Sequence, residues 1–231
     1  MEEESSLNAE KQLIINGMVV SVLYFRAGYT PTDYPTEIEW QGRLKMERSS
    51  AIKCPSIAYH LVGTKKIQQE LAVSGTLERF LTTEQAASLR PCFAGLYGLE
   101  QDHPDLQRVL QAVRDNPDHY VLKPQREGGG NNLYGDELIS ALDTLSPAEL
   151  ESYILMTCIQ PTPHPSILVR NGQHQHASCI PELGLYVTSL ITDTEEVFNT
   201  HIGHLLRTKS ITTVDGGVNA GNAFLDTPYL I

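Results

Sequence analysis

Positive charge is scarce in this chain: 17 Lys and Arg stand against 28 Asp and Glu in 231 residues, a formal net charge of −11. A nucleic acid or an anionic membrane needs a basic surface, so both are excluded as partners. Cysteine is sparse as well. The four residues, Cys54, Cys92, Cys158 and Cys179, lie far apart with no C-x-x-C pair. That spacing excludes a zinc ribbon and a disulfide scaffold, and it fits reduced cytosolic thiols. No apolar run is long enough to span a bilayer, and the start, Met1-Glu2-Glu3-Glu4-Ser5-Ser6, is acidic where a secretory or mitochondrial leader is basic. A soluble, cytoplasmic protein is therefore expected. Internal repeats, low-complexity tracts and a clear linker are also missing. What remains is a chain with 41% hydrophobic residues, enough for one large domain or two small ones.

Against that background one stretch concentrates polar chemistry: Lys123-Pro124-Gln125-Arg126-Glu127-Gly128-Gly129-Gly130-Asn131-Asn132-Leu133-Tyr134-Gly135. Glycine has no Cβ, so consecutive glycines let backbone N–H groups approach an anion closely. Lys123 and Arg126 add charge and donors for that anion, and Glu127 is a hard oxygen ligand suited to a Mg²⁺ that bridges phosphates. Asn131 and Asn132 add neutral donors and acceptors. The stretch matches neither G-x-x-x-x-G-K-[ST] nor G-x-G-x-x-G, which removes support for the two commoner nucleotide folds. On the glycines alone a flexible Gly-Asn turn is an equal reading; the charged neighbours tilt it toward a nucleotide.

Periodicity places this loop in a wider layout. The β-branched and aromatic run 18–25 predicts a buried strand, with the turn Arg26-Ala27-Gly28-Tyr29 at its C-terminal edge. In open α/β sheets ligands bind at that edge, though the segment also reads as a plain turn. Helices are predicted over 37–50, 65–71, 83–96, 104–114 and 137–145, and a strand over 119–122 feeds the glycine loop. Ser146-Pro147-Ala148-Glu149 carries an N-cap Ser, Pro at the first position and Glu at the capping-box position, which opens another helix. From residue 154 the pattern changes to strands, at 154–159, 166–169, 184–192 and 203–208, giving an α+β half with a mainly antiparallel sheet. Arg207 and Lys209 share one strand face, because side chains alternate with period two, and residues 215–221 form a second glycine-rich loop. Together these suggest a second anion clamp. The pairs His174/His176 and His201/His204 lack a third ligand nearby in sequence and read as surface or packing residues.

The runs KPQREGGGNNLYG, GTKK (Gly63 to Lys66), ELG (Glu182 to Gly184), GHLLRTK and DGGV, in this order, resemble the C-terminal half of a eukaryotic-type glutathione synthetase of the ATP-grasp superfamily, from about Ile14 to Tyr229. The resemblance implies ATP-dependent ligation of glycine to γ-glutamylcysteine through an acyl phosphate, with Mg²⁺ as the metal, and a homodimer. It implies an α+β fold: part of an α/β substrate-binding domain over 1–63, then an ATP-grasp catalytic domain with a glycine-rich lid over 64–231. By position, Lys65 and Lys123 resemble the lysines that hold the ATP phosphates, Glu127 a Mg²⁺ ligand, and Gly128, Gly129, Gly130, Asn131, Asn132 and Tyr134 the closing loop. Met156, Thr157, Cys158 and Ile159 resemble the strand that receives adenine, and Glu182 the acceptor of a ribose hydroxyl. Lys209 and Asp215 resemble further ATP contacts. Arg26, Ala27, Gly28 and Tyr29 correspond to the γ-glutamylcysteine side, and Arg207, Val218 and Asn219 to the acceptor amino acid. Arg207 and Lys209 are the expected catalytic pair, with Arg207 gripping a carboxylate through a two-pronged hydrogen bond.

Three departures from the family pattern bear on specificity. Ala27 replaces the acid of an R-D-G-Y turn, Thr157-Cys158 stands where Glu-Lys is usual, and Asn219 replaces a small Ala. The last leaves an acceptor other than glycine open. The resemblance begins partway through the family's substrate-binding domain, without the other Mg²⁺ ligands. Since one lost electrostatic group typically costs on the order of 10²–10³ in rate, the chain alone is expected to be nearly inactive. The alternative is a truncated isoform or pseudo-enzyme that binds a nucleotide or a partner.

Overall fold

The computed structural model describes residues 5–125, 130–213, 216–218 and 221–228. They fall into two compact units, one holding the described residues up to Cys158 apart from Gly130, the other Gly130 and those from Ile159 onward.

In the first unit β1 (Ser5–Leu7), β2 (Leu13–Ile15) and β3 (Met18–Val19) form an antiparallel sheet. The strand β4 (Val22–Tyr24) pairs in parallel with β5 (Ile52–Cys54), and α1 (Glu37–Arg48) lies between them in sequence. The helix starts where Thr36 and Glu39 form a capping box, and Lys45 and Arg48 in its last turn complement the helix dipole. Next come α2 (Ile57–Val62), α3 (Lys65–Ala72) and α4 (Thr83–Leu89). The chain continues through β6 (Leu96–Tyr97), α5 (Leu106–Asp115), β7 (Tyr120–Pro124), α6 (Gly135–Thr144), α7 (Pro147–Leu150) and β8 (Tyr153–Thr157), with the antiparallel strand order β6-β8-β7. Ser146 caps α7 in the expected capping box with Glu149.

The core of this unit lies between that sheet and α5 and α6. Leu106, Val109 and Val113 recur on one face of α5, and they join Leu99, Leu122, Leu138, Ala141 and Leu155 in one buried cluster. Burial of each such leucine contributes about 1.5–3 kcal/mol, which makes β7 and β8 a rigid platform for whatever their ends carry.

In the second unit β9 (His164–Arg170), β10 (Gln173–Ile191), β11 (Glu196–Ser210) and β12 (Phe224–Asp226) form one antiparallel sheet in the order β12-β11-β10-β9. The α+β composition is the expected one.

Three expectations change. The run 18–25 is not one buried strand: Val20 N–H bonds the Leu13 carbonyl, and the Ser21 carbonyl takes the Ile52 N–H, so the chain passes from one sheet to another in mid-run. Val22, Tyr24 and Ile52 share one face of the parallel pair and are exposed, whereas Leu23 and Lys53 on the other face are half-buried, so the pair is covered on one side only among the described residues. The helix predicted over 83–96 ends at Leu89, where Pro91 forces a 3-10 turn at Arg90–Cys92. The strands predicted over 184–192 and 203–208 are pieces of a longer hairpin, whose strands run 19 and 15 residues, Gln173–Ile191 and Glu196–Ser210. Pro181 hides its first half in the sequence; among the described residues, β11 is the one strand that pairs with β10 beyond Cys179, a setting that tolerates proline. Among the described residues no helix is long and apolar enough to cross a membrane.

Candidate functional site

The first unit brings two predicted lysines together. Lys65 is the first residue of α3, and Lys123 lies near the end of β7. Burial, and after it the charge of Lys65, holds the Lys123 ammonium below its ordinary value of 10.5. Among the described residues neither lysine has an ion pair, whereas Lys66, adjacent to Lys65, is paired with Glu100. The tandem lysines thus differ: Lys66 is paired with an acid, and Lys65 has no acid partner among the described residues. Burial pushes the Cys158 thiol up, against a smaller opposing pull from the charge of Lys123.

The Arg26–Tyr29 turn follows β4 and meets the same region. A cavity of about 200 Å³ is lined by Tyr29, Tyr59, His60, Gly63, Thr64, Lys65 and Gln125, which joins a residue expected on the γ-glutamylcysteine side to one expected on ATP phosphate. Gly28 holds the turn at φ +87°, and a Cβ there would lie 2.6 Å from the Tyr34 hydroxyl, so glycine is required twice over. That hydroxyl donates to the Gly28 carbonyl at 2.7 Å. Behind it sits Arg43, 4% exposed, which donates to Glu47 at 2.7 Å and to the Tyr34 hydroxyl at 3.3 Å, and lies 3.8 Å over the Phe25 ring. Its Nη2 is also 3.4 Å from His60 Nδ1. Burial and then the Arg43 charge lower the His60 pKa below 6.5, against a smaller opposing pull from Glu47, so the imidazole facing the cavity favours its neutral form. Arg26 and Ala27 are exposed.

The glycine loop is described only in part: Arg126, Glu127, Gly128 and Gly129 lie outside the described residues. Gly130 adopts φ +82° in open space, a backbone that favours glycine. Asn131 and Asn132 are half-buried, and Tyr134 is the N-cap of α6. Leu133 exchanges two backbone hydrogen bonds with Leu122, at 2.9 and 3.0 Å, which ties the end of the loop back to β7. On β8, Met156 and Thr157 pair with the neighbouring strands. The N–H groups of Thr157 and Cys158 are given to the carbonyls of Gly95 and His119 at 2.8 Å each, so these two donors are already used. Ile159, one residue on, is exposed.

The second unit gathers Glu182, Arg207 and Lys209. Glu182 on β10 is in direct register with Arg207 on β11, and Arg207 and Lys209 share a face two residues apart. Arg207 Nε donates to Glu182 at 2.5 Å and Lys209 Nζ lies 3.3 Å from the other carboxylate oxygen. Gly216 is fitted against this pair; a Cβ there would sit 3.1 Å from the Glu182 carboxylate and 3.4 Å from the Arg207 guanidinium. Val218 is half-buried and its carbonyl accepts from the Gly221 N–H at 2.9 Å. Asp215 and Asn219 lie outside the described residues.

Among the described residues no three His, Cys, Asp or Glu side chains are grouped to hold a metal. His174 and His176 instead stack edge to face, 6.3 Å apart. Sequence reasoning missed Tyr34, Arg43, Tyr59, His60 and Gln125. Glu39, Arg43 and Glu47 stand four residues apart on α1, a spacing that signals ion pairing along a helix but not burial.

Comparison with known proteins gives this geometry a context. The family model for the ATP-binding domain of eukaryotic glutathione synthase matches residues 2–230. The chain is 49% identical to the chloroplastic glutathione synthetase of Arabidopsis thaliana, an alignment covering 100% of this chain and 43% of that protein. It is 48% identical to the glutathione synthetase of Mus musculus, over 98% of this chain and 48% of the other. A glutathione synthetase-like effector from Globodera pallida, solved in its apo form, superposes with a TM-score of 0.70 at 21% identity, over 99% of this chain and 46% of that one, and so shares the fold. The chain spans about half the length of the relatives it matches.

Proposed function

The chain belongs to the eukaryotic glutathione synthase family, and on that premise we propose that it supplies the ATP-binding part of a glutathione synthetase, which joins γ-glutamylcysteine to glycine with ATP and Mg²⁺. The observation that carries this reading is the Lys65–Lys123 pair: two cations, without an acidic partner among the described residues, with the Lys123 pKa lowered by burial and then by the charge of Lys65. Like charges held together destabilise a fold, and a triphosphate relieves that cost when it binds.

Each residue then has a role. Lys65 and Lys123 take the phosphates and neutralise the charge that develops as the γ-phosphoryl group passes to a carboxylate. Tyr29, beside Lys65 in the cavity, positions γ-glutamylcysteine with Arg26. Glu182 accepts a ribose hydroxyl. Arg207 leaves Glu182 to grip the carboxylate of the acceptor, which orients the attacking amine, and Lys209 stays beside the nucleotide. The glycine loop at 128–132 closes and excludes water from the acyl phosphate. Mg²⁺, when bound, would offset phosphate charge. Its expected ligand Glu127 lies outside the described residues, and the roles assigned here rest on the chain's own cations. Residues 1–63 are proposed as part of the substrate-binding region and 64–231 as the ATP-binding region, in a cytoplasmic protein. Alone, at about half its relatives' length, the chain binds ATP and ligates little.

Calorimetric titration with MgATP tests the nucleotide half of this proposal: saturable one-to-one binding is expected, and absence of binding at millimolar ATP sinks it. A ligation assay with γ-glutamylcysteine and glycine tests the other half. Turnover by the chain alone equal to that of a full-length relative would refute the assigned division of labour.

A further inference from the structure

Gln125 follows the last residue of β7 directly, two residues after Lys123. Its Oε1 accepts the backbone N–H of Lys66 at 3.1 Å. An N–H donor requires an acceptor opposite it, which fixes the amide orientation: oxygen toward α3, nitrogen away from it. That nitrogen, Nε2, is buried and has no hydrogen-bond partner, and Gln125 lines the cavity that also contains Lys65, Thr64 and His60. A buried amide donor left unpaired costs about 1–3 kcal/mol. A fold that keeps such a group supplies it with a partner, a bound water, an ion or a ligand atom, and its place on the cavity wall favours the ligand.

The N–H that Gln125 accepts belongs to the first turn of α3, the turn that carries Lys65. One hydrogen bond therefore couples the helix bearing one phosphate lysine to the strand bearing the other. Without it, repulsion between the two ammonium groups favours displacement of the α3 N-terminus. We infer that Gln125 is the positioning residue of the anion clamp: its oxygen pins Lys65 beside Lys123, and its unpaired amide nitrogen donates to an anionic oxygen in the cavity. The bound oxygen belongs to a phosphate or to a carboxylate, which share this chemistry. The inference rests on the proposed ATP role for the nature of the ligand, and on geometry alone for the pinning.

The test uses the full chain and Gln125→Met, which keeps the shape and removes both polar atoms. Lys123 titration is followed by NMR of its side chain, with Lys65→Met as the reference in which the neighbouring charge is gone. In Gln125→Met, Lys123 is expected to titrate at higher pH than in the parent, approaching the Lys65→Met behaviour, and exchange of the Lys66 amide proton to accelerate. Unchanged Lys123 titration and unchanged Lys66 exchange overturn the inference. If Gln125→Met does not fold, Gln125→Glu replaces it: the carboxylate still accepts from Lys66, so slow exchange is retained, while inorganic tripolyphosphate binds about tenfold more weakly through loss of the donor. Tripolyphosphate binding equal to the parent's overturns the donor role. Titrations with tripolyphosphate and with γ-glutamylcysteine separate the two sources of the oxygen. Should the parent bind neither tripolyphosphate nor ATP, the proposed function fails, and the Lys123 titration still decides the pinning.

Discussion

The two charged regions of this chain solve opposite problems. In the first unit Lys65 and Lys123 interact without an acid partner among the described residues, and burial, with the Lys65 charge after it, depresses the Lys123 pKa. In the second unit Arg207 and Lys209 are already satisfied by Glu182, at 2.5 and 3.3 Å. On the proposed reading the first region receives an anion, and its binding energy includes relief of repulsion. The second has to give up an ion pair before Arg207 can hold a ligand, and that exchange is cheap because both partners are partly exposed. On the proposed reading, affinity for phosphate resides in the first unit and adaptability toward a second substrate in the other.

The largest way to break the contrast is to remove what holds the first region in place. Arg43→Met leaves Glu47 without its partner and Tyr34 without its buried donor, and is expected to destabilise the first unit by about 3 kcal/mol. The single tryptophan, Trp40, stacks on Tyr34 at 4.4 Å, so its fluorescence should follow the loss in a denaturant titration. Next in size, Lys65→Met or Lys123→Met should lower ATP affinity about 10- to 100-fold by calorimetry, the range for hydrogen bonds to charged groups. Glu182→Gln should lower ATP affinity by about fivefold and stability by less than about 1 kcal/mol, since the pair it breaks is exposed. A stability loss as large as that of Arg43→Met would erase the distinction drawn between the two regions.

The smallest expected effect is on pH dependence. His60 has a lowered pKa, so between that value and the ordinary 6.5 the unfolded chain holds a proton that the folded chain does not. Stability therefore rises with pH through that window and is lost below it, and His60→Gln should flatten the acid side of a stability-versus-pH curve. The same sign applies to Lys123 below 10.5: stability rises with pH through its window, while anion affinity falls as the ammonium is lost.

Much of this contrast was legible in the sequence, because it is local. Lys65 follows an N-cap Thr64 in GTKK, Lys123 precedes a glycine-rich loop, and the period-two spacing of Arg207 and Lys209 placed both on one strand face. Whether these groups are paired was not legible. Glu182 meets Arg207 only through a register set by a hairpin whose first half Pro181 disguised, and Lys66 meets Glu100 across 34 residues. The Arg43 cluster was hidden for the same reason: an arginine flanked at four-residue spacing by glutamates looks like a solvated helix face, and its burial under Phe25, Tyr34 and His60 depends on tertiary packing. The run 18–25 misled in the other direction, since β-branched composition signals a strand but not the layers that would cover it.

The most direct measurement is the titration of the Lys123 side chain, followed by NMR, in the free chain and at saturating ATP. If Lys65 and Lys123 hold the triphosphate together, phosphate charge stabilises the ammonium, and Lys123 titrates at distinctly higher pH in the complex than in the free chain. Saturable ATP binding that leaves the Lys123 titration where it was would contradict the clamp and place the nucleotide elsewhere.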